Sequence, residues 1–262
     1  QEAKDTLQEM LDGRFGKAGH RVVIEQFLRG IELSVFVLTD GVNYKILPEA
    51  KDYKRIGEGD TGPNTGGMGA VSPVVFATES FLRKVEERVV KPTLAGLQQE
   101  GVVYKGFLFI GLMNVKGEPV VIEYNARMGD PETEVVLPRI QTDLVDLLVA
   151  TADGELDKIT MQVSPQTAVT TVLVAGGYPN SYEKGKIIND LDRLDDVLAF
   201  HAGTVGQNGL IVTNGGRVLA ITALANSLEN AIRKSQEAAR MVSYDGKYFR
   251  KDIGLDLLRY QD

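Results

Sequence analysis

The sequence predicts an α+β protein built of two units, residues 1–163 and 164–262, each combining antiparallel strands with helices. Two dipeptides indicate antiparallel pairing in the first unit: Asp-Gly at 40–41 and Lys-Gly at 116–117 each separate two apolar runs. The boundary is predicted from a change in pattern, because short β segments dominate from about Ser164 onward.

The first unit is predicted to begin with a short helix over residues 4–11. Residues 21–28, "RVVIEQFL", and 31–47, "IELSVFVLTDGVNYKIL", alternate as strands do. The second run turns at 40–41, where both residues tolerate a positive φ. The stretch 48–73 is predicted to be a long loop, and loops of this length are usually functional or mobile.

Helix signals follow this loop. Thr78 is predicted to cap a helix that Pro92 kinks or divides, and Thr142 or Asp143 is predicted to begin another that ends before Gly154.

The second unit is predicted to hold the strands "AVTTVLVA", "VLAFHAG" and "GLIVTNGGRVLAITALA". A turn at residues 214–216 divides the last of these. Asn226 with Glu229 forms a predicted cap before the final helix.

Composition limits the classes of function. The 262 residues, 43% hydrophobic and 25% charged, are typical of globular domains. A net charge of -7 argues against broad nucleic-acid affinity. The absence of cysteine excludes disulfides and thiolate chemistry, and His20 and His201 alone are too few for a histidine-rich metal centre or triad. No apolar stretch would cross a bilayer or form a signal core, so we expect a cytoplasmic protein.

The strand "VVIEYN" ends in a candidate metal site. Its two-residue period places Glu123 and Asn125 on one face with Val121, while Ile122 and Tyr124 face the other way. A carboxylate beside an amide oxygen suits Mg²⁺ that keeps waters or shares its shell with phosphates. The alternative is a strand end that dips into solvent.

The turn after this strand adds charge. Arg127 is close enough to reach phosphate oxygens that such a metal also touches. Asp130, Glu132 and Glu134 make the turn acidic, so that it could orient a second substrate that carries an amine. The alternative is a charged surface turn.

The segment "EQFLRGIE" is a candidate adenosine site. Main-chain groups near Glu25 and Leu28 can offer the acceptor and donor that an adenine edge requires, and Glu32 could take the ribose hydroxyls. Alone this signal is weak, since glutamates of amphipathic strands are usually solvated.

The long loop holds candidates for phosphate contacts. Lys51, Lys54 and Arg55 form a basic cluster, and the glycines of "DTGPNTGGMGA" let backbone N–H groups approach an anion. The alternative is a flexible lid without ligand contact. In the second unit, Arg250 and Lys251 are weaker candidates for binding a phosphorylated substrate and could simply be solvated, and His201 favours a structural role.

Together these segments resemble the phosphoribosylamine–glycine ligases, also called glycinamide ribonucleotide synthetases, of the ATP-grasp superfamily. "RMGDPETE" is similar to the family signature Arg-Phe-Gly-Asp-Pro-Glu, with Met128 where Phe is usual. "DYKRIGEGDTGPNTGGMGA", "GFLFIGLM", "FHAGT" and "NGGRVL" also look like that family, and the resemblance covers residues 22–254.

The resemblance implies a fold and a set of site residues. The fold is the second part of an ATP-grasp domain, an antiparallel sheet with helices, followed by a small β-rich C-terminal domain. The implied roles are these: metal, Glu123 and Asn125; adenine, Glu25 and Leu28; ribose, Glu32; triphosphate, Arg127 and Lys54. Asp130 is our candidate for the glycine contact because of its place in the signature loop, and Arg127 and Asp130 are the candidate catalytic residues. Many ATP-grasp proteins carry a further acidic metal ligand where this chain has Gly111.

The resemblance also implies the reaction. ATP with Mg²⁺ or Mn²⁺ would activate glycine as an acyl phosphate, which 5-phosphoribosylamine captures in purine synthesis. The expected partners are these small molecules, without nucleic acid or membrane, and the expected state is a monomer or weak dimer. Because nothing in the chain resembles the family's N-terminal Rossmann-like domain or first ATP-grasp part, we expect a C-terminal portion that would be inactive alone.

Overall fold

The computed structural model describes residues 1–260, which form an α+β fold of antiparallel sheets and short helices. The strands are β1 (Ile31–Thr39), β2 (Tyr44–Ile46), β3 (Lys51–Asp52), β4 (Arg55–Gly57), β5 (Thr61–Asn64), β6 (Gly69–Ser72), β7 (Gly106–Val115), β8 (Glu118–Asn125), β9 (Thr167–Val174), β10 (Leu198–His201), β11 (Thr204–Gln207), β12 (Leu210–Thr213) and β13 (Arg217–Ala225). The α-helices are α1 (Glu2–Glu9), α2 (Glu79–Val85), α3 (Lys91–Gln99), α4 (Thr133–Val136), α5 (Leu144–Asp153) and α6 (Leu228–Met241).

The first sheet has the order β2-β1-β7-β8, with all neighbours antiparallel, and both predicted hairpins are confirmed. At the first hairpin only Gly41 takes a positive φ, while the Asp40 side chain accepts hydrogen bonds from the backbone N–H groups of Val42 and Asn43. At 116–117 both residues take a positive φ. The first turn therefore depends on one glycine and on the Asp40 side chain, whereas the second depends on a positive φ at both of its residues.

Helices cover both faces of this sheet. One face packs on α2 and α3 through a core that includes Val35, Phe81 and Ile110, and the other packs on α4 and α5. The predicted caps are confirmed, because Thr78 accepts from Phe81 N at 3.3 Å and Asp143 accepts from Val145 N at 2.8 Å. A π-helical turn over Glu86–Val90 separates α2 from α3, so the division precedes Pro92, which lies in the first turn of α3.

The second sheet has the order β10-β13-β9-β6-β3. The prediction of a loop over 48–73 is therefore wrong: that stretch supplies β3 and β6 to this sheet and β4 and β5 as a hairpin. Its strands of two to four residues are too short to show alternation. β6 pairs with β9 and β3 with β6, whereas β4 and β5 pair with each other. The sheet thus joins strands from both sides of residue 164, and the domain boundary stays a prediction.

Two further expectations from sequence are wrong. Residues 22–29 form no strand, and Val23, Ile24 and Phe27 are 74–83% exposed. A strand needs a neighbouring edge for its hydrogen bonds, and within residues 1–260 none pairs with this segment. The cap of α6 is Ser227, which accepts from Asn230 N, because Asn226 accepts from the side chain of Gln166 instead.

The turn at residues 214–216 lies between β12 and β13, as predicted. None of the helices that the structure describes is both long enough and apolar enough to cross a membrane.

Candidate functional site

The end of β8 presents two polar side chains on one face of the first sheet. Glu123 pairs with Gly111 of β7 and Asn125 with Phe109, in regular register. Tyr124, between them, points the other way, where its hydroxyl lies 2.9 Å from that of Thr93 in α3. Glu123 and Asn125 therefore face away from α3, side by side.

A bulge in β8 changes the side of the sheet on which the residues just before Glu123 lie. Glu123 and Val121 oppose consecutive residues of β7, so Ile122 is the extra residue of the bulge. Val121 consequently packs into the core beneath α2 and α3, and Ile122 lines the same crevice as Glu123. The predicted facing of Val121 and Ile122 was wrong, because a strict two-residue period does not continue through a bulge.

The pair Glu123 and Asn125 fits a magnesium ion that keeps part of its water shell. Neither side chain makes a hydrogen bond or ion pair to another residue of the described chain, and Glu123 is exposed. A Cβ on Gly111 would lie 3.1 Å from Glu123 Cγ, so glycine there leaves the carboxylate room. Within residues 1–260 no group of three or more histidines or acids is arranged to hold a metal. Two protein oxygens, with water and phosphate oxygens, form the kind of shell that Mg²⁺ accepts.

Glu32 and Lys54 lie beside the face of the first sheet that carries Glu123. Lys54 Nζ is 2.7 Å from Glu32 Oε2, and both residues line a crevice with Asp52, Gly111 and Glu123. Burial lowers the pKa of Lys54, but attraction to Asp52, Glu32 and Glu123 outweighs it and raises the pKa overall. Lys54 is therefore held protonated, as a contact for phosphate oxygens must be.

Glu32 of this pair lines two cavities. One, of about 360 Å³, is lined by Glu25, Leu28 and Glu32 together with apolar side chains of β7 and β8. The other, of about 520 Å³, is lined by Glu32 and Lys54 with charged residues of the 51–64 and 256–260 segments. The structure therefore brings the predicted adenosine residues together, with an apolar space at one end and a charged one at the other.

Glu132 lies in the turn at residues 127–134, called here the signature turn, and its side chain is buried rather than exposed. It is 4% exposed, and Ser34 Oγ donates to its carboxylate at 3.0 Å. Burial, followed by the nearby charge of Asp52, raises the pKa of Glu132 to about 7. Burial also raises the pKa of Asp52.

This raised pKa predicts a pH-dependent stability. The pKa of Glu132 rises from an ordinary 4.5 to about 7, so between those values the folded protein holds a proton that the unfolded chain has lost. The free energy of unfolding should therefore fall by about 2 kcal/mol as pH rises from 5 to 8. Glu132→Gln should remove most of that fall, while Glu100→Gln, at an exposed position, should not. Urea unfolding at both pH values measures this, and an equal fall in Glu132→Gln and in the wild type would contradict it.

Arg127 and Asp130, the candidate site residues of the signature turn, lie in different surroundings. Arg127 is exposed and donates to the carbonyl of its neighbour Met128 at 2.9 Å. Asp130 accepts two hydrogen bonds, both 2.8 Å long, from Arg217 of β13. The described contacts join neither residue to the Glu32–Lys54 pair. Arg217, the partner of Asp130, was not among the candidates from sequence, although the "NGGRVL" motif contains it.

The glycine-rich hairpin β4–β5 is anchored rather than free. Arg250, whose side chain is 1% exposed, donates to Asp60 at 2.8 Å, to the carbonyl of Arg55 at 3.0 Å and to both oxygens of Asp252. The solvated reading of Arg250 is wrong, because this guanidinium is buried and hydrogen-bonded. The alternative of a flexible lid without ligand contact stays open. His201 bonds through Nδ1 to Thr204, which agrees with a structural role.

Comparisons with known proteins identify the family of this chain. Residues 1–133 match the family model "Phosphoribosylglycinamide synthetase, ATP-grasp (A) domain", and residues 168–256 match that of its C domain. The chain is 48% identical over 261 residues to a phosphoribosylamine–glycine ligase of Chlorobaculum tepidum, covering 98% of this chain and 61% of the relative. A crystal structure of the Thermotoga maritima ligase superposes with a TM-score of 0.80 at 41% identity, covering 87% of this chain and 57% of that one.

A more distant structure bears on the fold alone. The biotin carboxylase domain of the Hydrogenobacter thermophilus 2-oxoglutarate carboxylase has a TM-score of 0.58 at 16% identity, covering 88% of this chain and 49% of that one. The fold is thus that of the ATP-grasp proteins. Within them, the chain belongs to the phosphoribosylglycinamide synthetase family. It spans about 60% of the length of the Chlorobaculum relative.

Proposed function

We propose that this chain carries the nucleotide and metal part of an ATP-dependent ligase that joins glycine to 5-phosphoribosylamine. The observation that supports this most is the position of the Glu32–Lys54 pair. It stands between a cavity lined by Glu25 and Leu28 and the face that carries Glu123 and Asn125. A nucleotide with an apolar base at one end and a charged phosphate chain at the other matches that sequence of environments.

Each residue then has a role. Main-chain groups near Glu25 and Leu28 meet the adenine edge, Glu32 accepts from ribose hydroxyls, and Lys54 contacts the triphosphate. Glu123 and Asn125 hold Mg²⁺, for which Mn²⁺ is a chemically similar substitute. When bound, that ion offsets charge on the phosphate oxygens. Arg127 stays the expected second cation for the triphosphate, and Asp130 the expected contact for glycine.

The proposed reaction needs no protein nucleophile. A carboxylate oxygen of glycine bonds to the γ-phosphorus of ATP, and the bond from that phosphorus to the bridging oxygen of ADP breaks. The amine nitrogen of 5-phosphoribosylamine then bonds to the carbonyl carbon of glycyl phosphate, and phosphate and one proton leave. The protein contributes orientation, fixed charge and exclusion of water, which are the principal means of catalysis in phosphoryl transfer. We propose a monomer or weak dimer acting on these small molecules.

The decisive measurement is ADP release by a chain of full family length that includes these 262 residues. We expect release to require both glycine and 5-phosphoribosylamine and to yield a product of the mass of glycinamide ribonucleotide. The 262 residues alone are expected to show no turnover and weak binding of MgADP at most, which is the behaviour of a nucleotide-binding module. Release of ADP that does not depend on glycine would contradict the ligase proposal.

A further inference from the structure

Ser34 lies in the wall of the candidate nucleotide and metal site. It pairs with Gly111 of β7, which in turn pairs with Glu123 of β8, so these residues occupy one row across three strands. Because directly paired residues point to the same side of a sheet, the Ser34 side chain lies on the face that carries Glu123. Ser34 is 3% exposed, and its main chain exchanges two hydrogen bonds with Ala50, 2.7 Å and 3.0 Å long. The hydroxyl of Ser34 therefore has a fixed place on this face.

The Ser34 hydroxyl binds the signature turn through Glu132. Ser34 Oγ donates to Glu132 Oε1 at 3.0 Å, and within residues 1–260 this is the one side-chain hydrogen bond between β1 and the signature turn. Glu132 is 4% exposed, and its backbone carbonyl accepts from the N–H groups of Val135 and Val136 in α4. The main chain of Glu132 is thus fixed by a helix and its side chain by β1.

The Glu132 carboxylate also lies directly against the middle of the signature turn. A Cβ on Gly129 would lie 2.5 Å from Glu132 Oε2 and 2.6 Å from Cδ, distances that a real side chain would not tolerate. The carbonyl of Gly129 accepts from the backbone N–H of Thr133 at 3.1 Å and from the hydroxyl of Thr133. The turn therefore packs closely against one carboxylate, and Arg127 and Asp130 lie on either side of Gly129 in the sequence.

We propose that Glu132 is a positioning residue of the ligase reaction: through Ser34 it holds the signature turn at a fixed distance from the candidate nucleotide site. Ser34 lines the crevice that holds the Glu32–Lys54 pair. This inference rests on the proposed function, in which the sheet binds the triphosphate and the signature turn carries the candidate catalytic residues. A misplacement of about 1 Å can lower a rate by about 100-fold, so the bond affects turnover although Glu132 is too deeply buried to touch a substrate.

Kinetics of the full-length protein test this role. Glu132→Met keeps the length of the side chain but loses the acceptor, and Ser34→Ala loses the donor, so each should lower kcat by about 10-fold. Glu132→Gln keeps an acceptor oxygen for Ser34 and should retain at least about a third of the wild-type kcat. Glu132→Met combined with Ser34→Ala should be at most about twofold slower than either alone, because both remove one interaction. The dissociation constant for MgADP should change less than about threefold in every variant, which separates positioning from loss of the nucleotide site.

The matched control is Ser243→Ala, which removes a hydrogen bond of the same kind, from Ser243 Oγ to Asp190 at 3.1 Å, between residues that line none of the candidate cavities. Its kcat should equal that of the wild type. Wild-type kcat in Glu132→Met and Ser34→Ala overturns the positioning role and leaves the proposed function standing. A kcat as low in Glu132→Gln as in Glu132→Met also overturns it, because the acceptor oxygen then has no effect. Absence of glycine-dependent ADP release in the wild type contradicts the proposed function itself, and the positioning role with it.

Discussion

Replacing Glu123 with glutamine is expected to lower ligase activity of the full-length protein by about 100-fold or more. Glutamine keeps the size and one oxygen of the side chain but removes the negative charge that attracts a divalent cation. Because the pair then offers two neutral amide oxygens and no negative charge, the metal should bind the protein more weakly. The Mg²⁺ concentration for half-maximal activity should therefore rise, and Asn125→Ala combined with Glu123→Gln should abolish turnover.

We do not expect this loss of activity to result from a loss of folding stability. Glu123 is exposed, and its carboxylate makes no ion pair or hydrogen bond within the described residues, so the melting temperature should stay close to that of the wild type. Glu118→Gln is the matched control, because Glu118 begins the same strand and binds Lys84 and Arg88 instead. Its activity should keep the wild-type dependence on Mg²⁺. Unchanged turnover in Glu123→Gln would remove Glu123 from the metal site.

The sequence predicted those parts of the fold whose causes are local. The hairpins follow from two dipeptides, and the helix starts at Thr78 and Asp143 follow from side chains that accept hydrogen bonds from their own first turn. The helix end at Gly154 follows from its left-handed conformation. Each of these depends on residues within about one turn, which a single sequence contains.

The missed elements depend on distant partners. β6 exists because β9, about one hundred residues later, offers it an edge. Ser227 caps α6 because Asn226 is engaged by Gln166 from another segment. The bulge at Ile122 results from the register with β7, which the strand's own residues do not encode. None of these partners can be identified from a short window of sequence.

The residues of the candidate site likewise separate into those that local sequence predicts and those that depend on distant contacts. Glu123 and Asn125 were predicted from the period of one strand, and their side-by-side placement needed only local geometry. Glu132 looked like one more acid of a surface turn, and its burial against Ser34 depends on a contact across 98 positions of sequence. Arg217 lies 87 positions from Asp130, so only the fold reveals that the two are paired.

Replacing Arg250 with methionine is expected to lower the free energy of unfolding by about 3 kcal/mol, near the lower end of the cost of removing one partner from a buried ion pair. Arg250 is 1% exposed and joins the β4–β5 hairpin to the C-terminal segment through Asp60 and Asp252. Methionine fills much of the volume of the arginine stem but leaves both carboxylates without their cation. Urea unfolding at pH 7 measures the change.

The loss of stability on replacing Arg250 should depend on the geometry of the guanidinium and not only on its charge. Arg250→Lys keeps the charge, but a single ammonium cannot bind both oxygens of Asp252 and also reach Asp60 and the carbonyl of Arg55. We therefore expect lysine to restore less than half of the lost stability. Arg233→Ala, which breaks an exposed pair, should cost about 0.5 kcal/mol or less. Wild-type stability in Arg250→Met would show that the hairpin is held by its other contacts, such as Tyr248 with the carbonyl of Ile56, and that the buried guanidinium contributes nothing to holding it.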